Sequence, residues 1–281
     1  MKSILVITRL TLLEAARRRI LLAALVLGLV FLALFSLGFH FMSLAVQSVQ
    51  DTIVSRQMAF GEFYNFVLMA GLYAISFLSI AMGAMLAADT LAGEIGSGTI
   101  QSIVAKPIRR FEIVLGKWLG FSILLGAYLA LMVGGVVGSV WLQTGYLPPN
   151  LLPGLSLMYL ECVLMMTLTL AGSSTLSTLA TGGVVFGLFG IAFLGGWVEQ
   201  LGSFASNPTA IQVGIVSSLI IPSEALWKRA AYEMTSPFVQ ALGFSPFSSP
   251  SVPSNTMVVY AGAYLVVCLL MAIRQFGRRD L

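Results

Sequence analysis

From Ile20 to Met42 the chain runs without one Asp, Glu, Lys or Arg. About 20 consecutive apolar residues are what an α-helix needs to cross the hydrocarbon core of a bilayer, and the chain repeats such runs to its end. Six spans are expected, at 20–42, 63–88, 117–141, 155–176, 182–201 and 257–273. The 281 residues are 58% hydrophobic and 9% charged, against about 25% charged in soluble domains. This leaves no room for a large soluble domain. The expectation is an all-α integral membrane protein of one domain, 1–281, with no cleavable signal peptide because the first apolar run is long enough to span.

The segments between the spans carry the polarity. Residues 1–19 read as an amphipathic helix lying on the membrane surface, with Ile4, Leu5, Leu12 and Leu13 on its greasy side and Arg9, Glu14, Arg17, Arg18 and Arg19 supplying charge. Residues 203–255 hold six of the ten prolines. Within them Thr209 to Ile221 is apolar but too short to span, so a re-entrant or interfacial helix is expected. Ser223 is placed to cap a further helix from Glu224 to Met234, with Trp227 and Tyr232 suited to an interface. With both termini cytoplasmic, only Arg56, Lys228 and Arg229 of the Lys/Arg fall on the outer side, in keeping with the positive-inside rule. The formal charge of +4 is therefore an orientation signal; the basic residues sit at span ends and form no nucleic-acid stripe.

The most informative polar segment is 89–116 with its flank at Lys117. Asp89, Glu94, Lys106, Arg109, Arg110, Glu112 and Lys117 all fall here. Gly93, Gly96 and Gly98 are expected to break the incoming helix. Thr99 to Ala105 can form a helix of about two turns capped by Ser97 and stopped by Pro107. The pattern Glu94-x-x-x-Gly98-Thr99, then Lys106-Pro107, then Arg110 with Glu112-Ile113 and Gly116-Lys117, resembles the first cytoplasmic loop of type-2 ATP-binding-cassette permeases. The resemblance runs over most of the chain and is nearest to the permeases of multicopper-enzyme maturation, such as the membrane subunit of the nitrous oxide reductase maturation system. It implies that residues 1–19 are the family's elbow helix and that 89–116 holds its coupling helix, which docks into an ATPase subunit. It implies two copies of that ATPase, a second permease copy or a paralogue, surrounding lipids, an extracytoplasmic accessory protein as a further candidate partner, and a prokaryotic cytoplasmic membrane. Glu94, Gly98, Thr99, Lys106, Pro107, Arg109, Arg110 and Glu112 are the candidate coupling residues.

Inside the spans one group stands out. A carboxylate within a span is costly and marks a candidate functional site. Glu161 lies about two turns into the fourth span, near enough to its start to reach the outer interface, with Met158, Cys162 and Met165 on one helical face around it. Soft ligands of this kind suit Cu(I), but methionine is also an ordinary filler of apolar cores, and no metal site is assigned. His40, beside Phe39 and Phe41, reads as structural. Cys162 and Cys268 both lie in apolar runs, so neither a disulfide framework nor a CxxC motif is expected. Gly134 and Gly138 have GxxxG spacing, which permits close helix contact.

The chain has no Walker A motif; Gly116-Lys117 lacks both the earlier glycine and the following Ser/Thr. No cofactor is expected in this chain, ATP and Mg belonging to the partner. The expected function is the membrane subunit of an exporter energised by a separate ATPase. Two other classes stay open. A signalling or scaffold subunit could use the same fold without moving substrate. An intramembrane lipid-modifying enzyme would need convergent polar groups, for which the sequence offers Glu161, His40 and Glu199 without a nucleophile–base pattern.

Overall fold

The computed structural model describes residues 2–47, 53–96, 109–236 and 251–278. Among them are nine α-helices and no strand: α1 (Lys2–Arg17), α2 (Arg19–Gln47), α3 (Ile53–Gly96), α4 (Arg110–Thr144), α5 (Leu151–Ser173), α6 (Thr178–Phe204), α7 (Pro208–Ile220), α8 (Ser223–Met234) and α9 (Asn255–Gly277). Six of them, α2 to α6 and α9, are long and apolar enough to cross a membrane. The chain is a multi-pass, all-α membrane protein. The short helix expected within 99–105, with its cap at Ser97, lies outside the described residues.

Helix α3 has 44 residues, about 66 Å at 1.5 Å per residue and twice the roughly 30 Å hydrocarbon core. It runs through Gly93, which was expected to break it. A glycine inside a helix costs only about 1 kcal/mol relative to alanine, too little to stop a helix this well packed. Together α3 and α5 form the centre of the bundle, where Leu68, Met69, Leu72 and Ile75 meet Met158, Cys162, Met165 and Met166, all fully buried. Helix α2 lies at the edge, with Leu22, Leu27, Leu34 and Leu37 more than half exposed.

The N-terminal helix packs on the bundle through a face the sequence did not single out, while Leu5 and Leu13 of its greasy side stay exposed. Ile7, Thr8, Thr11 and Ala15 are buried against α4, whereas Leu5, Val6, Leu10 and Leu13 are exposed. In apolar surroundings helices associate through close fit and hydrogen bonds, since greasy residues gain nothing by leaving lipid. The seam is made of small residues: Thr8 Oγ1 lies 3.1 Å from the Gly116 carbonyl, and a Cβ built on Gly120 would come within 2.9 Å of Thr11. Gly120→Val should therefore lift α1 from α4 and destabilise the protein by about 1–3 kcal/mol, the usual effect of overpacking. Thermal unfolding in detergent reads this, and an unchanged midpoint would mean that α1 is not seated there.

Helices α7 and α8 make a helical hairpin bent by 106°. Asn207 caps α7 by accepting hydrogen bonds from the Thr209 and Ala210 amides at 3.1 and 3.3 Å, with Pro208 in the first turn, a favoured arrangement. From there α7 runs back along α6, Gly202 meeting Ala210 and Gly195 meeting Ser217. The contact is tight enough that a Cβ on Gly214 would lie 2.7 Å from the Gly195 carbonyl. The bend at Ile221 and Pro222 sits level with Gly196, about 12 Å back from the end of α6 at 1.5 Å per residue. Helix α8 then climbs obliquely along α5 until the Met234 carbonyl accepts from Asn65 Nδ2 at 3.2 Å. Two expectations are corrected here. Ser223 is the first helical residue and is fully buried, so it does not cap. Trp227 is 2% exposed, because α8 packs into the bundle, not over its rim.

Gly134 and Gly138 also differ from expectation. Neither has a neighbour that an added Cβ would touch; the close approach is made by Gly135, against the Leu32 side chain at 2.6 Å. The face carrying Gly134 and Gly138 opens instead on an apolar groove of about 320 Å³ beside Trp141 and Leu155.

Candidate functional site: a joint at the basic end and a buried polar network

One end of the bundle carries Arg17–Arg19, Asp89, Arg109, Arg110 and Arg274 and is called the basic end. Here a few side chains cross-tie seven helix termini. Arg18 donates to Asp89 at 2.8 Å and to Glu14 at 2.5 Å, which locks the α1–α2 corner to the last turns of α3. The other oxygen of Asp89 accepts from Thr178 Oγ1 at 3.4 Å, at the start of α6. Arg110 Nη1 donates to the Gly277 carbonyl at 3.3 Å, an arginine satisfying a C-terminal carbonyl of α9. Ser174 Oγ donates to Gln275 Oε1 at 2.7 Å and binds the α5–α6 turn to the same helix.

The expected coupling residues divide among several roles. Gly98, Thr99, Lys106 and Pro107 lie outside the described residues, and Glu94 falls in the last turn of α3. Glu112 has a structural role: its carboxylate accepts from the Arg109 amide at 3.3 Å, half of a capping box at the start of α4. Arg109 is exposed beside the joint. Lys117, expected at the start of a span, is 3% exposed within α4. Asp89, which ties three helices together, was not among the expected site residues. Its signal in the sequence was its place as the first charge of the polar segment, directly after the second apolar run.

The second cluster lies inside the bundle. Ser76 Oγ donates to Glu161 Oε2 at 2.8 Å. Tyr73, one turn away on α3, donates to Glu224 at 3.3 Å, and Lys228, one turn along α8 from Glu224, bonds Glu199 at 2.7 Å. Ser251 donates to the other oxygen of Glu199. All four charged residues are 6% exposed or less. Tyr73, Trp197, Gln200, Glu224, Trp227 and Lys228 enclose a cavity of about 10 Å³, about the room needed by one water. Three carboxyl groups and one ammonium are therefore held together where α3, α5, α6 and α8 converge.

Glu161 does not reach the outer interface, as its distance from the span start had suggested. It is 2% exposed, some 15 Å into α5 at 1.5 Å per residue, because the α7–α8 hairpin covers that part of the bundle. Met158, Cys162 and Met165 are likewise fully buried in the core. Among the described residues no three His, Cys, Asp or Glu side chains gather as a metal site. Sequence reasoning missed Glu224 and Lys228 as partners of this region. Their i,i+4 spacing on a short helix places them on one face, but a face turned inward could not be told from one turned to water.

Residues 5–281 match the family model described as ABC-2 family transporter protein. The chain belongs to the ABC-2 transporter family. A search of the curated proteins found no match. As an ABC-2 permease the chain is the transmembrane subunit of an ABC transporter, and its partner is an ABC ATPase subunit. The match spans both the joint at the basic end and the buried network, so neither belongs to an appended domain.

Proposed function

We propose that this permease is the membrane half of an exporter and that its ATPase engages it at the basic end, through the segment 97–108. The observation that carries this reading is the set of ties at the end of the bundle where α3 ends and α4 begins, in a chain that matches the ABC-2 transporter family over 5–281. A part of the protein that receives force needs both an exposed contact and stiff links to what must move. The links here are Arg18–Asp89, Thr178–Asp89, Arg110–Gly277 and Ser174–Gln275.

In the proposed cycle ATP and Mg are bound by two ATPase subunits beneath two permeases, either copies of this chain or this chain and a paralogue. Closure of the ATPase dimer displaces 97–108, and α3 and α4 shift as rigid bodies. The motion reaches the interior of the bundle where α3 carries Tyr73 and Ser76 against Glu224 and Glu161. Glu94, Lys106, Arg109 and Arg110 supply polar contacts at the ATPase. The basic end faces the cytoplasm of a prokaryotic cell, as the positive-inside rule favours, with both termini on that side. The loop motif from Glu94 to Lys117 supports a place among the maturation-type permeases, and an extracytoplasmic accessory protein would meet the opposite face.

The test is co-purification. The tagged chain, extracted in mild detergent, should bring down a nucleotide-binding subunit with ATPase activity, and scrambling residues 96–107 should release it while membrane insertion persists. A chain that purifies alone under every nucleotide condition, or keeps its ATPase after scrambling, overturns this reading.

A further inference from the structure

Helices α2 and α3 run antiparallel and are not evenly spaced. Toward the far end they are drawn together, Gly71 taking the Phe35 ring against its backbone and Phe39 packing on Tyr64 at 5.7 Å between ring centroids. At the basic end the Arg18–Asp89 ion pair bridges them. Between these closures lies a groove of about 390 Å³, floored by Tyr128 of α4.

Along α2 the groove runs from Arg19 to Leu27, and along α3 from Met85 to Phe77. Eight residues of helix measure about 12 Å, close to the half-thickness of a hydrocarbon core of about 30 Å. The groove therefore spans one leaflet, the one at the basic end. Small side chains, Ala23, Ala24 and Ala81, leave the space open. The floor offers no spare hydrogen-bond donor, since the Tyr128 hydroxyl donates to the Ala24 carbonyl at 3.1 Å. The polar end is Arg19. Glu14 and Asp89 are both engaged by Arg18, while Arg17 and Arg19 on either side of it are exposed. The site is thus a slot for one acyl chain, with cations at the depth of a headgroup.

We propose that this groove is a binding site for an anionic phospholipid of the leaflet at the basic end, its acyl chain between α2 and α3 and its phosphate on Arg19 and Arg17. Guanidinium matches phosphate geometry through paired hydrogen bonds. A net-anionic headgroup is favoured because a zwitterionic one brings its own ammonium to the same place. The site ties the lipid to the α1–α2 corner and so to Asp89, at the base of the joint. The inference requires only that the chain spans a membrane; it holds whatever the cargo and whether or not 97–108 is the ATPase contact.

The probes are phosphatidylglycerol and phosphatidylcholine with identical acyl chains, each carrying a photoreactive group on one chain and incorporated into vesicles with the purified permease. Phosphatidylglycerol should label peptides covering 20–27 and 77–85 severalfold more than phosphatidylcholine, since both offer the phosphate and only choline sets a cation beside the arginines. Arg17→Gln/Arg19→Gln should bring the two lipids to parity, with Arg18–Asp89 left intact. Ala23→Phe, at an exposed position, should fill the slot and abolish labelling by both. Equal labelling of the wild type by the two lipids overturns the proposal, as does labelling mapped elsewhere. Retained preference in the Arg17→Gln/Arg19→Gln variant does so too. A change in oligomeric state on Ala23→Phe with lipid labelling unaltered would assign the groove to a second copy of the chain and reject the lipid.

Discussion

Lys228→Met is expected to lower stability by about 3–5 kcal/mol, the cost of stripping one partner from a buried ion pair. Lys228 and Glu199 have side chains 5% and 6% exposed and stand 2.7 Å apart. Removing the ammonium leaves Glu199 beside Glu161 and Glu224 with no cation in the cluster, and Ser251 alone cannot compensate an ionised carboxylate. The double variant Glu199→Gln/Lys228→Met should recover most of the loss, because a neutral pair of similar shape carries little of the desolvation penalty. The measurement is the thermal unfolding midpoint of each purified variant in one detergent. A Lys228→Met protein that melts with the wild type would show that water reaches the pair and that α8 is not seated against α6. A double variant as unstable as the single would assign the cost to lost packing of the lysine stem.

The second large effect concerns coupling. Charge reversal at Arg109 and Arg110 together should leave the chain inserted in the membrane and abolish the dependence of transport on ATP hydrolysis. The two residues separate when changed singly. Arg109 is exposed, so Arg109→Glu should change stability by no more than about 0.5 kcal/mol, as surface changes do, while still weakening coupling. Arg110 also satisfies the Gly277 carbonyl, so Arg110→Glu should cost both coupling and some stability of α9. Transport and ATPase rates in reconstituted vesicles, read beside unfolding midpoints, distinguish these outcomes. Wild-type coupling in the double reversal would remove the basic end from the proposed mechanism.

The spans were legible because hydropathy over 20 residues is a one-dimensional signal, and the short apolar stretch after Asn207 betrayed the hairpin by its length alone. What stayed hidden depends on rotation about a helix axis. The greasy side of α1 was legible, but nothing local says that Thr8 and Thr11 seat on α4, since close fit and not hydrophobicity selects such a seam in lipid. Lys228 was read as a charge on a watery loop because nothing local says that α8 turns it toward Glu199. Glu161 was recognised as a residue needing explanation, but its partners, Ser76 and the α8 carboxylate nearby, lie 85 and 63 positions away along the chain. The glycines show the same limit. Gly134 and Gly138 carry the familiar spacing, whereas Gly116 and Gly120, one turn apart by the same spacing, hold the actual seam.

That seam also orders events during synthesis. Thr8 and the Gly116 carbonyl it approaches are separated by 108 residues. At about 5–20 residues per second, α1 leaves the ribosome several seconds before its seat on α4 exists. During that interval the exposed Leu5, Leu10 and Leu13 and the arginines that follow have the lipid surface as their nearest partner. The membrane thus acts as a temporary template for the first helix, and the chain exchanges it for α4 once the third span has been threaded. A nascent chain arrested before Gly116 should therefore expose α1 to protease at the bilayer surface, and one arrested well past Gly120 should shield it.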